Sequence, residues 1–132
     1  MRIKACLTAA EVRKMMAASI VEAEKNKWNV GVAAVDDAGL LLGFERMDGA
    51  PAIASTAAAD KARTAALTGQ PSKAWEDRIK ERPAFLSFQV GLPVQGGVPI
   101  IHRDECVGAI GVSGVLSVQD EQVALAGLAA LG

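Results

Sequence analysis

The sequence is poor in aromatic residues, in histidine and in cysteine, and the shortage of the last two argues against a structural metal site. There is no tyrosine, aromatic residues make up 4% of the chain, and the 132 residues include one histidine and two cysteines. Cys6 and Cys106 form no C-x-x-C motif, and these few side chains do not readily supply the four ligands of a structural zinc site. We therefore predict two free thiols in a reducing compartment and no metal site.

Long apolar runs and a surplus of positive charge are also missing. No uninterrupted apolar stretch approaches the roughly 20 residues of a membrane span, and the polar segment Thr8–Lys14 lies where a signal peptide would carry its apolar region. The net charge is −1, whereas a nucleic-acid groove needs a basic surplus. We therefore predict a cytoplasmic protein that has neither a nucleic acid nor a membrane as its partner.

What the sequence does contain is mostly apolar and small. Hydrophobic residues make up 51% of the chain, which is too apolar for disorder, and the length suits a single domain over residues 1–132. Alanine and glycine are abundant, so each element has little surface to bury by itself. Only five charged residues lie between Gly91 and Gly132, which predicts surface covered by other copies of the chain in a homo-oligomer.

Capping and turn signals divide the chain into helices and hairpins. A capping box at Thr8–Glu11 precedes apolar residues at helical spacing, and a second capping box is predicted at Ser117–Asp120. Asp37–Gly39 and Arg103–Glu105 have the composition of turns between paired strands. The predicted elements are a helix over Ala9–Lys27, strands over Asn29–Asp36 and Leu40–Arg46, a helix over Ala52–Leu67, a helix capped by Ser72 that runs to Arg82, strands over Val98–His102 and Cys106–Val112, and a helix from Ser117 to Leu131.

The order of these elements indicates the fold class. Two hairpins separated by helices predict an α/β (α+β) domain with a mostly antiparallel sheet that carries helices. A parallel doubly wound sheet would need strands that alternate singly with helices, and the sequence does not show that pattern.

Five ordered blocks of sequence carry a family resemblance. The blocks are Val35-Asp36 with Gly39, Arg46-Met47-Asp48-Gly49, Lys61-Ala62-Arg63-Thr64-Ala65, Gly96-Gly97-Val98-Pro99-Ile100, and Gly108–Gly114 followed by Asp120. Through them nearly the whole chain resembles the GlcG/HbpS-like family. The resemblance implies a central antiparallel sheet of about five strands in a profilin-like or GAF-like architecture, and homo-oligomers. It implies haem binding in some members, and in others a link to glycolate, propanediol or aromatic catabolism.

The basic residues within these blocks are candidate ligand contacts. Arg46, Lys61 and Arg63 could bind a carboxylate of a haem propionate or of an organic acid. They could instead pair with Asp36, Asp48 or Asp60 to tie a helix to a hairpin. Because Lys61 and Arg63 are two positions apart on a helix, they point in nearly opposite directions, and we expect Lys61 to be the ligand contact.

Small residues in the later blocks are further candidates for ligand binding. Gly96 and Gly97 could bring backbone N–H groups close to an anion, or could form a turn before a strand. Ser113 could donate a hydrogen bond to a ligand. Glycines at positions 108, 111 and 114 predict close approach of a ligand or of a neighbouring subunit to this strand.

Asp48 and His102 are the candidate catalytic groups. Asp48 lies at the end of a predicted strand and His102 beside a charged turn, and each could instead have only a turn or surface role. Some haem-binding relatives use a histidine on the first helix, which has none here, so propionate pairing is expected to matter more than an axial ligand. Two functions stay open: a binding domain for a planar or anionic ligand, with haem a candidate cofactor by resemblance, and a small enzyme that acts on an organic acid in a catabolic pathway.

Overall fold

The computed structural model describes residues 1–132, and its elements follow the order predicted from the sequence. The elements are α1 (Ala9–Lys25), β1 (Gly31–Asp36), β2 (Leu41–Arg46), α2 (Ala54–Thr68), α3 (Ser72–Glu81), a 3-10 helix (Pro83–Ser87), β3 (Gly97–His102), β4 (Glu105–Ser113) and α4 (Ser117–Ala129). Every predicted helix and strand is present, and the ends differ from the predicted ends by at most two residues.

The four strands form one antiparallel sheet in the order β2-β1-β4-β3. The antiparallel α+β arrangement confirms the predicted fold class. The expected number of about five strands is wrong, because only the two hairpins contribute strands and the chain between α3 and β3 forms a 3-10 helix and turns. β1 and β4 join the hairpins in the middle of the sheet, so that β2 and β3 are its two edges.

Helices cover both faces of the sheet. α1 and α4 pack together on one face, over a core that includes Met15, Val32, Ile110 and Val123, all fully buried. α2 packs on the other face, where a smaller cluster of alanines surrounds Val35. The sheet is therefore the middle layer of three, with most of the large apolar side chains on the α1–α4 side.

Glycines let α2 come unusually close to the sheet. A side chain at Gly97 would overlap the backbone of Lys61, and a side chain at Gly111 would overlap the backbone of Ala58 and Ala62. Backbone atoms within a helix cannot move aside individually, so a side chain at either position would displace the helix as a whole. The close approach predicted for this strand is thus real at Gly111, and what approaches is α2 of the same chain, not a neighbouring subunit.

The capping box at the start of α1 is confirmed. The Glu11 N–H donates to Thr8 Oγ1 at 3.2 Å, and the Thr8 N–H donates to Glu11 Oε2 at 2.8 Å. These two reciprocal bonds satisfy donors that the first turn of a helix cannot satisfy by itself. They also fix the point at which the extended residues 1–7 give way to the helix.

The second predicted capping box is wrong. The cap residue of α4 is Leu116, one position before Ser117, and the Leu116 N–H donates to Gln119 Oε1 at 3.2 Å. Because Gln119 makes the capping hydrogen bond, Asp120 has no capping role. Its side chain points into the interior, where Asp120 Oδ1 accepts the Val115 N–H at 3.2 Å.

Several large apolar side chains remain on the surface. Leu40, Leu41 and Leu42, at and beside the edge strand β2, are 62%, 58% and 44% exposed. Leu116 and Val118 at the start of α4 are similarly exposed. Clusters of exposed apolar side chains of this kind are typical of surfaces that contact other protein chains.

No helix has the combination of length and apolarity that crossing a bilayer requires.

Candidate functional site

Lys61, the predicted ligand contact on α2, is buried and already has partners. Its side chain is on the sheet side of the helix, and the residue is 3% exposed. Its Nζ donates to Asp120 Oδ2 at 2.9 Å and to the Val112 carbonyl at 3.2 Å. The lysine stem passes Gly96, where any side chain would collide with it. In this structure the Lys61 ammonium is therefore not exposed to a ligand.

Asp120 completes this buried ion pair. Burial raises the pKa of the Asp120 carboxyl, while the hydrogen bond and the charge of Lys61 act in the opposite direction. A buried pair of charges is costly unless its remaining polar atoms are also satisfied. Here Asp120 Oδ1 accepts the Val115 N–H, so each carboxylate oxygen has a donor. The pair therefore connects α2 on one face of the sheet to the beginning of α4 on the other.

The other two cations of the family blocks lie apart from Lys61. Arg46, at the end of β2, donates from Nη1 to Ser55 Oγ at 3.0 Å and so attaches the edge strand to α2. Arg63 is exposed and forms no ion pair. Neither cation pairs with Asp36 or with Asp48. The predicted aspartate pairs that would tie helix to hairpin are thus replaced by the Arg46–Ser55 bond.

The small residues predicted to contact a ligand are largely engaged within the chain. The Gly97 N–H donates to Ser72 Oγ at 2.9 Å, and the Gly96 carbonyl accepts the Val112 N–H at 3.0 Å. Ser113 is 8% exposed and pairs with Gly31 across the β1–β4 ladder. Gly97 thus has its N–H bound to a hydroxyl of α3, in the place where an anion was expected.

Asp48 and His102 lie near opposite corners of the sheet. Asp48 follows β2, whereas His102 ends β3, the strand at the other edge. Three strand spacings separate the two edges by about 14 Å. The two residues also lie at opposite ends of the sheet, because Arg46 pairs with Gly31 at the beginning of β1 and His102 lies beyond the level of its last residue. Within one chain they therefore belong to different sites.

A pocket of about 540 Å³ lies beside His102. It is formed by the residues before α1, by β3 and by the end of α4, and most of its lining is apolar, including Leu7, Val107 and Leu128. Its volume lies within the range of roughly 300–1,000 Å³ that is typical of small-ligand sites. His102 is the only histidine of the chain, so the single imidazole lies at this mostly apolar cavity.

A smaller pocket of about 280 Å³ adjoins the first, and its lining includes two basic residues and one carboxylate. The two pockets share three lining residues, among them His102, and the smaller one is also lined by Lys4, Arg103 and Glu105. Lys4 Nζ pairs with Asp37 Oδ2 at 3.0 Å, whereas Arg103 forms no ion pair. His102 therefore stands between an apolar cavity and a smaller pocket in which Arg103 is a cation without an ion-pair partner.

The residues before α1 form part of this site, although no local sequence pattern predicts that placement. Two ion pairs hold them in place: Arg2 Nη1 with Glu105 Oε1 at 2.6 Å, and Lys4 Nζ with Asp37 Oδ2 at 3.0 Å. In the sequence, only the alternating cations Arg2 and Lys4 hint that this segment is held by ion pairs. Asp37 lies in the turn after β1 and Glu105 at the start of β4, and nothing in the local sequence links the segment to these two places.

Neither the cysteines nor any carboxylate cluster adds a metal site. Cys6 and Cys106 are free thiols, and Cys6 lines the apolar pocket. No group of three or more His, Cys, Asp or Glu side chains lies close enough together to hold a metal ion.

Comparisons with known proteins show which family and which fold this chain shares. The chain matches the family model described as haem degrading protein HbpS-like over residues 7–129. It is 39% identical to protein GlcG of Escherichia coli (strain K12) over 114 residues, which cover 86% of this chain and 85% of that protein.

Solved structures share the whole fold. A double mutant of HbpS from Streptomyces reticuli is similar with a TM-score of 0.95 and 33% sequence identity, over 100% of this chain and 91% of that one. A complex of PduOC with haem has the same fold, with a TM-score of 0.87 and 22% identity, over 96% of this chain and 95% of that one.

Proposed function

This chain belongs to the HbpS-like family, and we propose that it is a binding domain for a planar, anionic small molecule, with haem as the leading candidate. The observation that carries the proposal is the environment of His102. An apolar cavity of about 540 Å³ adjoins this imidazole, and a pocket of about 280 Å³ that contains Lys4 and Arg103, with Glu105, shares it. A flat apolar ring system with carboxylate arms needs these two environments next to each other.

The residues around His102 fit a haem. Leu7 and Leu128 supply apolar contacts for a macrocycle. His102 supplies an imidazole, a group that commonly binds haem iron in proteins. Lys4 and Arg103 supply positive charge for the two propionates. A bound haem would supply a redox-active iron, and these five side chains would hold and orient it.

Charge favours one orientation of such a ligand. Glu11 lines the apolar pocket, and the backbone N–H of Thr8 bonds to its carboxylate and lowers the pKa of that group. Glu11 is thus anionic at neutral pH and repels carboxylates. The propionates of a haem are therefore expected on the other side, against Lys4 and Arg103, where the one carboxylate, Glu105, is paired with Arg2.

This assignment replaces Lys61 as the expected propionate contact. The Lys61 ammonium is enclosed with Asp120, and exposing it would leave that carboxylate buried without a counter-ion. Arg46 lies at the opposite edge of the sheet from His102. The family description names haem degradation, and PduOC has been crystallised with haem, so the fold is one that accommodates the group.

No comparable observation favours the alternative of a small organic-acid enzyme. Within one chain, Asp48 and His102 lie near opposite corners of the sheet, so they do not form a pair of acid and base around one substrate.

We further propose that the protein is a homo-oligomer, because the edge strand β2 carries exposed leucines that an isolated chain would leave in water.

A haem titration followed by visible absorbance tests the proposal. The protein should give a saturable Soret band, and His102→Ala should shift or broaden it. Replacing Lys4 and Arg103 together by alanine should weaken binding about tenfold or more, because two charge-assisted contacts are lost, while the band shape is kept.

The matched control is Arg46→Ala, which removes an exposed arginine at the far edge of the sheet. It should leave haem affinity unchanged. A titration without saturation would overturn the proposal, and so would an Arg46→Ala variant that loses as much affinity as the Lys4/Arg103 variant.

A further inference from the structure

A separate pocket lies between α2 and the segment that leads to β3. Its volume is about 500 Å³, and it shares no lining residue with the pocket beside His102. Asp60 and Arg63 of α2 provide its charged wall, and Leu86 and Phe88 provide its apolar wall. The proposed haem site uses none of these residues.

Asp60 and Arg63 present opposite charges to this pocket. They are three positions apart on one helix, so their side chains project from the same face. Neither forms an ion pair, with each other or with any other residue. The stem of Arg63 lies over the β1–β2 turn, where Gly39 leaves it room. The pocket thus offers one anionic and one cationic group, both without a protein partner.

The opposite wall is a backbone segment attached to α2. The Leu92 N–H donates to the Asp60 carbonyl at 3.2 Å, and Thr64 Oγ1 donates to the Val90 carbonyl at 2.5 Å. Gln89 and Gly91 line the pocket, and their N–H groups have no acceptor within the chain. Amide N–H groups near a guanidinium add to a site for a carboxylate.

The apolar wall is held by an aromatic cluster. Phe88 is 64% exposed and packs edge-on against Trp75, with ring centroids 6.3 Å apart. Arg78 covers the Trp75 ring at 5.4 Å. A phenyl ring that is exposed and yet supported from behind offers a defined apolar surface to a ligand.

We infer that this pocket binds a free α-amino acid with an apolar side chain. Its carboxylate would lie against Arg63 and the unbonded N–H groups, and its ammonium against Asp60. Its side chain would lie against Phe88 and Leu86. The guanidinium fork matches a carboxylate, and a zwitterion satisfies both unpaired charges at once, which a simple anion or cation does not.

Titration with L-phenylalanine, N-acetyl-L-phenylalanine and L-phenylalaninamide tests the inference. Amide chemical shifts are followed by NMR, and the saturable shifts should centre on the pocket. Only the free amino acid carries both charges, so each blocked analogue should bind about tenfold more weakly to the unaltered protein. This comparison needs no variant and holds even if a variant fails to fold.

Two variants then assign the charges. Arg63→Gln should weaken the binding of L-phenylalanine about tenfold but leave the affinity for L-phenylalaninamide nearly unchanged. Asp60→Asn should weaken the binding of L-phenylalanine to a similar extent but leave the affinity for N-acetyl-L-phenylalanine nearly unchanged. Arg13→Gln is the matched control, since Arg13 is exposed on α1 and has no ion pair. Equal affinities for the three probes, or no saturable shift with any of them, would overturn the inference whatever the outcome of the haem titration.

Discussion

The ammonium of Lys61 and the carboxylate of Asp120 meet at 2.9 Å, although the residues are 59 positions apart in the sequence. The contact lies where β3 begins and β4 ends. Gly96 makes room there for the lysine stem, and the Val112 carbonyl accepts a second hydrogen bond from the ammonium. α2 and α4 cover opposite faces of the sheet, so this ion pair joins the two helical layers. Neither residue is more than 3% exposed, and water therefore cannot replace a lost partner.

Replacing Lys61 with methionine should strongly destabilise the fold. The substitution keeps much of the side-chain volume but leaves Asp120 buried without a counter-ion, which costs about 3–5 kcal/mol. Urea unfolding followed by circular dichroism measures the loss. Lys73→Met is the control: Lys73 forms only surface pairs with Glu76 and Asp77, which water and salt screen, so its loss should change the urea midpoint little.

The cost of Lys61→Met should depend on pH. Burial raises the pKa of Asp120, and removing Lys61 takes away the group that opposes this shift. When the pKa of a carboxyl is higher in the folded state than in the unfolded state, the stability that this group contributes to the protein is lost as pH rises through the folded-state pKa. The variant should therefore be less destabilised at acidic than at neutral pH. A pH-independent difference from the unaltered protein would show that the Asp120 carboxylate is not the source of the cost.

Gly111→Ala should destabilise the protein and displace α2. The added methyl group would overlap the backbone of Ala58 and Ala62, and overpacking of this kind costs about 1–3 kcal/mol. Gly69→Ala is a useful comparison because Gly69 has open space around it but a positive φ of 67°. It should cost about 1 kcal/mol through backbone strain alone. Amide shift changes along α2 in Gly111→Ala, absent in Gly69→Ala, would distinguish the two causes.

Light scattering should give a mass of more than one chain at micromolar concentration. The exposed leucines of the edge strand β2 are the expected contact, so Leu41→Lys with Leu42→Lys should reduce the mass. Ile3→Lys, at a residue that is 95% exposed near the chain start, should not. A monomer for the unaltered protein would refute the expectation.

Signals within a few residues predicted the local structure well. The Thr8–Glu11 capping box and the Asp37–Gly39 turn depend only on neighbouring positions, and both appear in the structure. The cap of α4 was misplaced because Ser117 and Asp120 match the same pattern, while burial with Lys61 gives Asp120 a different role. The family resemblance was likewise readable, since it rests on blocks of sequence.

The sequence by itself determined the order of helices and hairpins, the antiparallel sheet and the family, because each follows from spacing or motif over short distances. Only the tertiary structure decided which charges meet: Lys61 with Asp120, and Lys4 with Asp37. It also placed His102 between an apolar pocket and a smaller one that contains Lys4 and Arg103. Such contacts depend on strand register and on how helices lie across the sheet, so residues dozens of positions apart become neighbours without any trace in the local sequence.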